Sequence, residues 1–228
     1  MRNVASFNAR ADDAYPMKPL PPRETLILSD IHGNLDALHA IRESYDELWV
    51  LGDIVNYGPE PGEALEAVRA TASIVVQGNH DHAVGHCDDS RWSARFREVA
   101  EATRRFTSSQ LSGSQKAYLR TLPVKVQVER EGVRFYLTHA TPSDHHYGRI
   151  AADSDDWVAE LERLDADVLL VGHSHVPFIR RIGGKESSIR AAWDSRDPAT
   201  PARVMRFGMT ANLFFARRTT QLKRQSRS

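Results

Sequence analysis

The feature that most restricts this chain is where its apolar runs break off. Five clusters of chemically capable residues occur in order: Asp30-Ile31-His32-Gly33-Asn34, Gly52-Asp53, Gly78-Asn79-His80-Asp81, Thr138-His139-Ala140 and Gly172-His173-Ser174-His175. Four of them directly follow a short apolar stretch. An apolar run that gives way to Gly, Asp, Asn and His reads as a buried strand passing into a loop. The repetition puts carboxylate, amide and imidazole groups at the carboxyl ends of strands, where open α/β sheets build their sites.

Between the clusters the periodicity alternates. Thr25 to Ser29, Leu48 to Leu51 and Ser73 to Val76 read as strands. Leu35 to Ser44 has helical spacing, with Leu35, Leu38 and Ile41 on one face, and Glu60 to Ala70 forms a second helix with Leu65 and Val68 inward. Such alternation implies parallel pairing with right-handed crossovers. After His86 the pattern changes. Ser90 to Ser109 and Ser112 to Arg120 read as two helices, a cap insertion over about 88–121. Val124 to Val128 and Val133 to Leu137 flank Arg130-Glu131-Gly132 as a hairpin. A helix over Trp157 to Leu164 and strands over Val168 to Val171 and Phe178 to Ile182 complete the pattern. Two groups of strands suggest two packed sheets with helices outside.

At 228 residues the chain is most simply one domain with extensions. Residues 1–23 read as a flexible leader ending in Pro19, Pro21 and Pro22, residues 24–184 as the domain, and 185–228 as an atypical tail. Thirty basic residues balance thirty acidic ones, so no global field favours nucleic acid or an anionic membrane. The single cysteine, Cys87, leaves no internal disulfide and fits a reducing compartment. No apolar stretch approaches the ~20 residues of a membrane helix, and the leader lacks the apolar core of a secretory signal. A soluble, cytoplasmic protein is the expectation.

The ligand types point to a metal pair. Asp30 and His32 stand two apart at a strand end, where the turn can aim both at one cation. Asp53 has two oxygens and can bridge two ions; Asn79 offers an amide oxygen, and His139, His173 and His175 add imidazoles. Nitrogen and oxygen donors without thiolate suit Mn²⁺, Fe²⁺, Zn²⁺ or Co²⁺ better than Ca²⁺ or Cu⁺. Singly, each cluster has a plainer reading: Gly-Asp is ordinary turn chemistry, and a lone His139 is as well a hydrogen-bonded core histidine. Together, each at a strand exit, they make the plain readings poor.

These motifs resemble the calcineurin-like metallophosphoesterase superfamily, most of all its small bacterial phosphodiesterase-like members, whose second motif runs on into a Tyr-Gly-Pro loop as Asn56-Tyr57-Gly58-Pro59 does here. The resemblance covers Thr25 to Gly184. It implies a four-layer α/β/β/α sandwich of two mixed sheets, with a dinuclear metal site at the strand ends. Asp30, His32 and His175 would hold one metal, Asn79, His139 and His173 the other, and Asp53 would bridge. His80 would protonate the leaving oxygen or stabilise the phosphoryl charge, with Asp81 orienting its ring. Manganese is the favoured ion. The implied reaction is hydrolysis of a phosphodiester or small nucleotide by in-line attack of a metal-bridging hydroxide. The alternatives are a phosphomonoesterase (a protein phosphatase or dinucleoside polyphosphate hydrolase) and a catalytically impaired metal-binding scaffold.

Other candidates stay open. Asn34 either contacts substrate phosphate or caps the helix at Leu35. Thr141, Asp144, His145 and His146 face the substrate or only solvent. Arg91, Arg95, Arg97, Arg104 and Arg105 attract an anion or form a solvated helix face balanced by Glu98 and Glu101. From Pro198 onward there are seven basic residues and no acidic one, and the strand alternation is poor. One account is a reading-frame change: codons permitted for Ile189 to Arg196, read two bases in, encode Pro-Gly-Ser-Val-Gly-Gln-Pro, the turn expected of the superfamily. At the same offset Arg203 to Gly208 permits Arg-Tyr-Ala-Val-Trp, a strand. The rival is a native basic tail that binds RNA, DNA or anionic lipid.

Overall fold

The computed structural model describes residues 24–88, 90–92, 94–95, 97–176 and 178–182, together with the backbone of 187–191, 204–207 and 214–216. The leader, the rest of the tail and the frame question lie outside the described residues.

The first half is a run of parallel strands. β1 (Thr25–Leu28), β2 (Glu47–Val50) and β3 (Ile74–Val75) pair in parallel, with Leu26 opposite Leu48 and Trp49 opposite Ile74. Helix α1 (Leu35–His39) joins the first two strands and α2 (Pro61–Thr71) the next. α1 stops well short of the predicted Ser44. Ala37 is buried, and Leu38 and, just beyond the helix, Ile41 pack against the core; a helix this short depends on that packing rather than on its own few hydrogen bonds. α3 (Asn79–His86) was not foreseen as a helix; it begins on the Asn79 cluster itself. The insertion holds α4 (Arg97–Gln110) and α5 (Gly113–Thr121). α5 starts with a reciprocal cap: Gln115 N donates to Ser112 Oγ at 3.2 Å, and Ser112 N donates to Gln115 Oε1 at 2.9 Å.

The second half builds another sheet. β4 (Lys125–Arg130) and β5 (Val133–Thr138) form the hairpin, turning at Glu131 and Gly132. Both turn residues have positive φ, 53° and 77°, which matches the twist of the flanking strands. α6 (Asp156–Glu162) then carries the chain to β6 (Val168–Leu170), parallel to β5. β7 (Phe178–Ile182) and β8 (Ser187–Ala191) follow, with β8 lying between β6 and β7. β9 (Val204–Phe207) and β10 (Phe214–Ala216) return to the first sheet, where β9 lies antiparallel to β1. Both sheets are mixed and five-stranded, in the orders β10-β9-β1-β2-β3 and β4-β5-β6-β8-β7. The tail therefore supplies strands in spite of its poor alternation. Ladder bonds need only backbone and an open edge.

Three apolar clusters tie the layers together. Ile27, Trp49, Leu51 and Val76 of the first sheet meet Phe135, Leu137, Val168 and Leu170 of the second. The opposite face of the first sheet packs Leu26, Leu28, Leu48 and Val50 against Leu65, Val68, Val84 and Leu119 of the helices. Tyr136, Leu169 and Val171 on the far side of the second sheet meet Trp157. Trp49 and Phe135 contact edge to face across the sheets, centroids 5.3 Å apart. Phe135→Ala is expected to destabilise the fold by about 3–5 kcal/mol while leaving bound metal per folded molecule unchanged. Denaturant unfolding and metal analysis check both halves.

This packing decides where the polar clusters go. β1, β2, β3, β5 and β6 all run out at one end, each releasing within a few residues a loop that carries one of the sequence-predicted clusters.

Candidate metal centre

Seven side chains predicted as ligands converge at that end. Asp30, His32 and His175 form one group whose ligand atoms lie within 4.8 Å of one another, and Asp53, His139 and His173 form another. His32 Nε2 is 3.2 Å from His175 Nε2, and His175 Nε2 is 3.3 Å from Asp30 Oδ1. In the second group Asn79 Oδ1 lies 3.0 Å from both His139 Nε2 and His173 Nδ1. Asp53 stands between the groups: its Oδ2 is 3.2 Å from His139 Nε2 and 3.8 Å from His32 Nε2.

The backbone is strained to bring this about. Asp30, His32, Asp53, His173 and His175 all have positive φ, between 52° and 65°. For residues other than glycine each such conformation costs about 1 kcal/mol or more and persists only where the surroundings enforce it. The loops interlock at glycine. A Cβ on Gly78 would lie 2.1 Å from Asp53 Oδ1, and one on Gly172 would lie 2.0 Å from Ser29 Oγ.

Divalent cations fit this donor set. Asp30 Oδ2 accepts from Ser29 Oγ at 2.6 Å and from the His173 amide at 3.1 Å. Its Oδ1 is buried and turned toward His175 Nε2, 3.3 Å away, with no other donor among the described residues. His139 Nδ1 faces the Leu51 carbonyl at 2.7 Å and His32 Nδ1 faces that of Val55 at 3.3 Å. A proton on each Nδ1 donates to the carbonyl and leaves the Nε2 lone pair for the centre, the usual way a ligating histidine is held.

Without ions the charges settle among the residues themselves. Burial alone would raise Asp30, but the hydrogen bond and charge of His175, with help from His139, hold it at about 2. Burial opposes ionisation of Asp53 too, yet the surrounding imidazoles, His139 foremost, keep it well below the carboxylate range. His139 is raised to about 9, because Asp53 outweighs its desolvation. Burial pushes His80 and His173 each down to about 3. The Asp53 charge thus favours the protonated form of His139, and a cation binding at its Nε2 would compete with that proton.

His80 lies beside the cluster, its Nε2 4.0 Å from Asp53 Oδ2 and its amide donating to Asp53 Oδ1 at 2.9 Å. Asp81 does not do what the sequence suggested. Its Oδ1 accepts from the Ile54 and Val55 amides at 2.9 and 3.2 Å, and its Oδ2 from the Gly78 amide at 3.0 Å. It is a backbone clamp, raised to about 7 by burial and by Asp53. The cause is α3: consecutive residues on a helix point about 100° apart, so His80 and Asp81 face different ways. The His80 ring is held by Asn56, whose Nδ2 is 2.6 Å from His80 Nδ1. Asn56 is fully buried at φ 78°. The signal for it was present, a polar residue closing the apolar run Ile54-Val55 three positions after Asp53.

Several of the softer candidates make local structural contacts. Asn34 Oδ1 accepts from the Ala37 amide at 2.9 Å, so the cap is the role the structure builds. Thr141 and Asp144 fold their own loop, where Asp144 N donates to Thr141 Oγ1 at 3.1 Å. His145 Nδ1 lies 3.2 Å from Thr138 Oγ1, and His146 Nε2 lies 3.1 Å from Gln77 Oε1. Arg97 pairs with Glu101 along α4 at 3.9 Å.

Residues 24–189 match the calcineurin-like phosphoesterase superfamily domain. The chain belongs to that superfamily. It is 28% identical over 158 residues to an uncharacterised protein, MJ0912, of Methanocaldococcus jannaschii, covering 67% of this chain and 63% of that protein. It is 28% identical over 178 residues to a symmetrical bis(5'-nucleosyl)-tetraphosphatase of Neisseria gonorrhoeae, covering 73% of this chain and 57% of that one. The chain thus spans about three fifths of the length of these curated relatives. The crystal structure of a metallophosphoesterase from Sphaerobacter thermophilus has a TM-score of 0.69 and 27% identity, covering 85% of this chain and 86% of that one. Protein PH1004 of Pyrococcus horikoshii shares the fold with a TM-score of 0.71 at 20% identity, over the same 85% and 86%. Among the described residues no helix is long and apolar enough to cross a membrane.

Proposed function

We propose that this chain is a metal-dependent phosphoesterase acting on a small phosphodiester or nucleotide, built as a four-layer α/β/β/α sandwich around a dinuclear centre. The observation that carries the reading is the shared carboxylate. Asp53 touches both imidazole groups, within 3.2 Å of His139 and 3.8 Å of His32, and a single carboxylate so placed suits two neighbouring cations. Asp30, His32 and His175 would hold one ion and Asn79, His139 and His173 the other, with Asp53 common to both. Ions bound there, manganese being the favoured choice, supply Lewis acidity and neutralise phosphoryl charge.

The remaining work falls to the protein. Asn56 fixes the His80 ring, and the Nε2 edge of that ring is directed toward the cluster. A water adds to phosphorus in line with the leaving oxygen and gives up a proton to solvent, the phosphorus–oxygen ester bond breaks, and the neutral His80 ring donates a hydrogen bond through Nε2–H to the charge building on oxygen, the departing group taking its proton from solvent. No enzyme nucleophile is required. A second reading, a dinucleoside polyphosphate hydrolase, is favoured by the tetraphosphatase relative.

One screen separates the readings. The Mn²⁺-loaded protein is offered bis-p-nitrophenyl phosphate, p-nitrophenyl phosphate and diadenosine tetraphosphate. Turnover of the diester supports the first reading, and cleavage of the tetraphosphate into two nucleoside diphosphates supports the second. Metal bound with no turnover of any of the three would overturn both and leave a metal-binding scaffold.

A further inference from the structure

One wall of the site comes from residues that no metal role explains. Trp92, in the connection from α3 to α4, is buried and lies against the His80 ring with centroids 4.6 Å apart. Tyr57 meets the same ring at 4.7 Å, and His32 meets it edge-on at 5.0 Å. With Asn56 on Nδ1, the imidazole is boxed on several sides and its Nε2 edge is turned to Asp53. Trp92 itself rests on Ala83 of α3 and Ala100 of α4. Its carbonyl accepts from Arg97 Nη2 at 3.2 Å.

The neighbouring residue ties this segment to the other half of the molecule. Arg91 Nη1 and Nη2 donate to Asp144 Oδ1 and Oδ2 at 3.3 and 2.6 Å. The guanidinium also stands 4.2 Å over the Tyr147 ring. The receiving loop is itself folded: the Tyr147 amide donates to Asp144 Oδ1 at 3.2 Å, and the Asp144 carbonyl accepts from the Gly148 amide at 3.1 Å. That loop starts directly after the ligand His139. A two-point guanidinium–carboxylate contact with a ring beneath it fixes direction as well as distance, which lysine could not do.

We propose that Arg91 is a positioning residue: by strapping the α3–α4 connection to Asp144 and Tyr147, it holds Trp92 as the wall that keeps the His80 imidazole aligned for reaction. The inference rests on the phosphoesterase reading of the site. An exposed ion pair contributes little to global stability, so the strap acts on the placement of one ring and not on the fold.

The test is a double-mutant cycle on the Mn²⁺-loaded protein with whichever substrate the screen identifies. Arg91→Ala and Asp144→Ala are each expected to lower kcat by about ten-fold through misalignment of His80, with KM within about two-fold. Metal content and melting temperature should match wild type. The double variant should be no slower than either single one, as for two ends of one contact. Trp92→Phe should keep most of the rate, and Trp92→Ala should lose at least as much as Arg91→Ala. Additive losses would overturn the strap, as would a rise in KM at constant kcat, which would make Arg91 a contact for the substrate anion. Unchanged kcat in Arg91→Ala, with active wild type, sinks the strap alone; an inactive, metal-loaded wild type sinks the phosphoesterase reading beneath it.

Discussion

Asp53→Asn is expected to lower kcat/KM by at least roughly 10³-fold, or about 4 kcal/mol of transition-state stabilisation, and to reduce the metal bound per chain. The substitution keeps size and shape, so it isolates charge. In the native protein the Asp53 carboxylate lies 3.2 Å from His139, 3.8 Å from His32 and 4.0 Å from His80, all buried. An amide there takes the compensating charge away from several imidazoles at once, and the pull that raises His139 disappears with it. Elemental analysis of dialysed protein and steady-state kinetics measure the two effects together. Full metal occupancy with near-native activity would show that Asp53 is a scaffold residue and that the two ligand groups work apart.

His80→Ala should separate turnover from metal binding. Removing a positioned hydrogen-bond donor to developing charge typically costs about 10²–10³-fold, and the loss should appear in kcat with metal content nearly unchanged. The geometry makes this a demanding test. His32, Asp53 and His80 also form a group whose ligand atoms lie within 4.8 Å of one another, so His80 could in principle ligate. Parallel loss of metal and activity would assign it there. Asn56 argues for the other role, because a ring pinned through Nδ1 at 2.6 Å and walled by Tyr57 and Trp92 is aligned for one task.

The convergence of the proposed ligands was readable because four of the five clusters stand where an apolar run ends, and one-dimensional patterns report strand ends well. The sequence could not show what depends on direction. Asp81 neighbours His80 in the chain, yet the helical turn sends it to the Ile54 and Val55 amides. Asn56 lies 24 positions from His80 and is the residue that reaches it. Arg91 looked like a solvated charge because its partner, Asp144, is 53 positions away on another loop. Helix α1 ends at His39 although Leu38 and Ile41 both pack on the core: spacing marks the buried face but does not fix where the hydrogen-bonded turns stop. The tail misled in the opposite sense, since ladder bonds form through backbone that side-chain alternation does not report.

His32 and His175 are separated by 143 positions and stand 3.2 Å apart. During synthesis most of the domain must therefore leave the ribosome before these two imidazoles can meet. If cations bind there as proposed, the complete cradle is open to them only after the chain has closed on itself. How readily that cradle would fill then depends on how well the strained loops keep their shape beforehand.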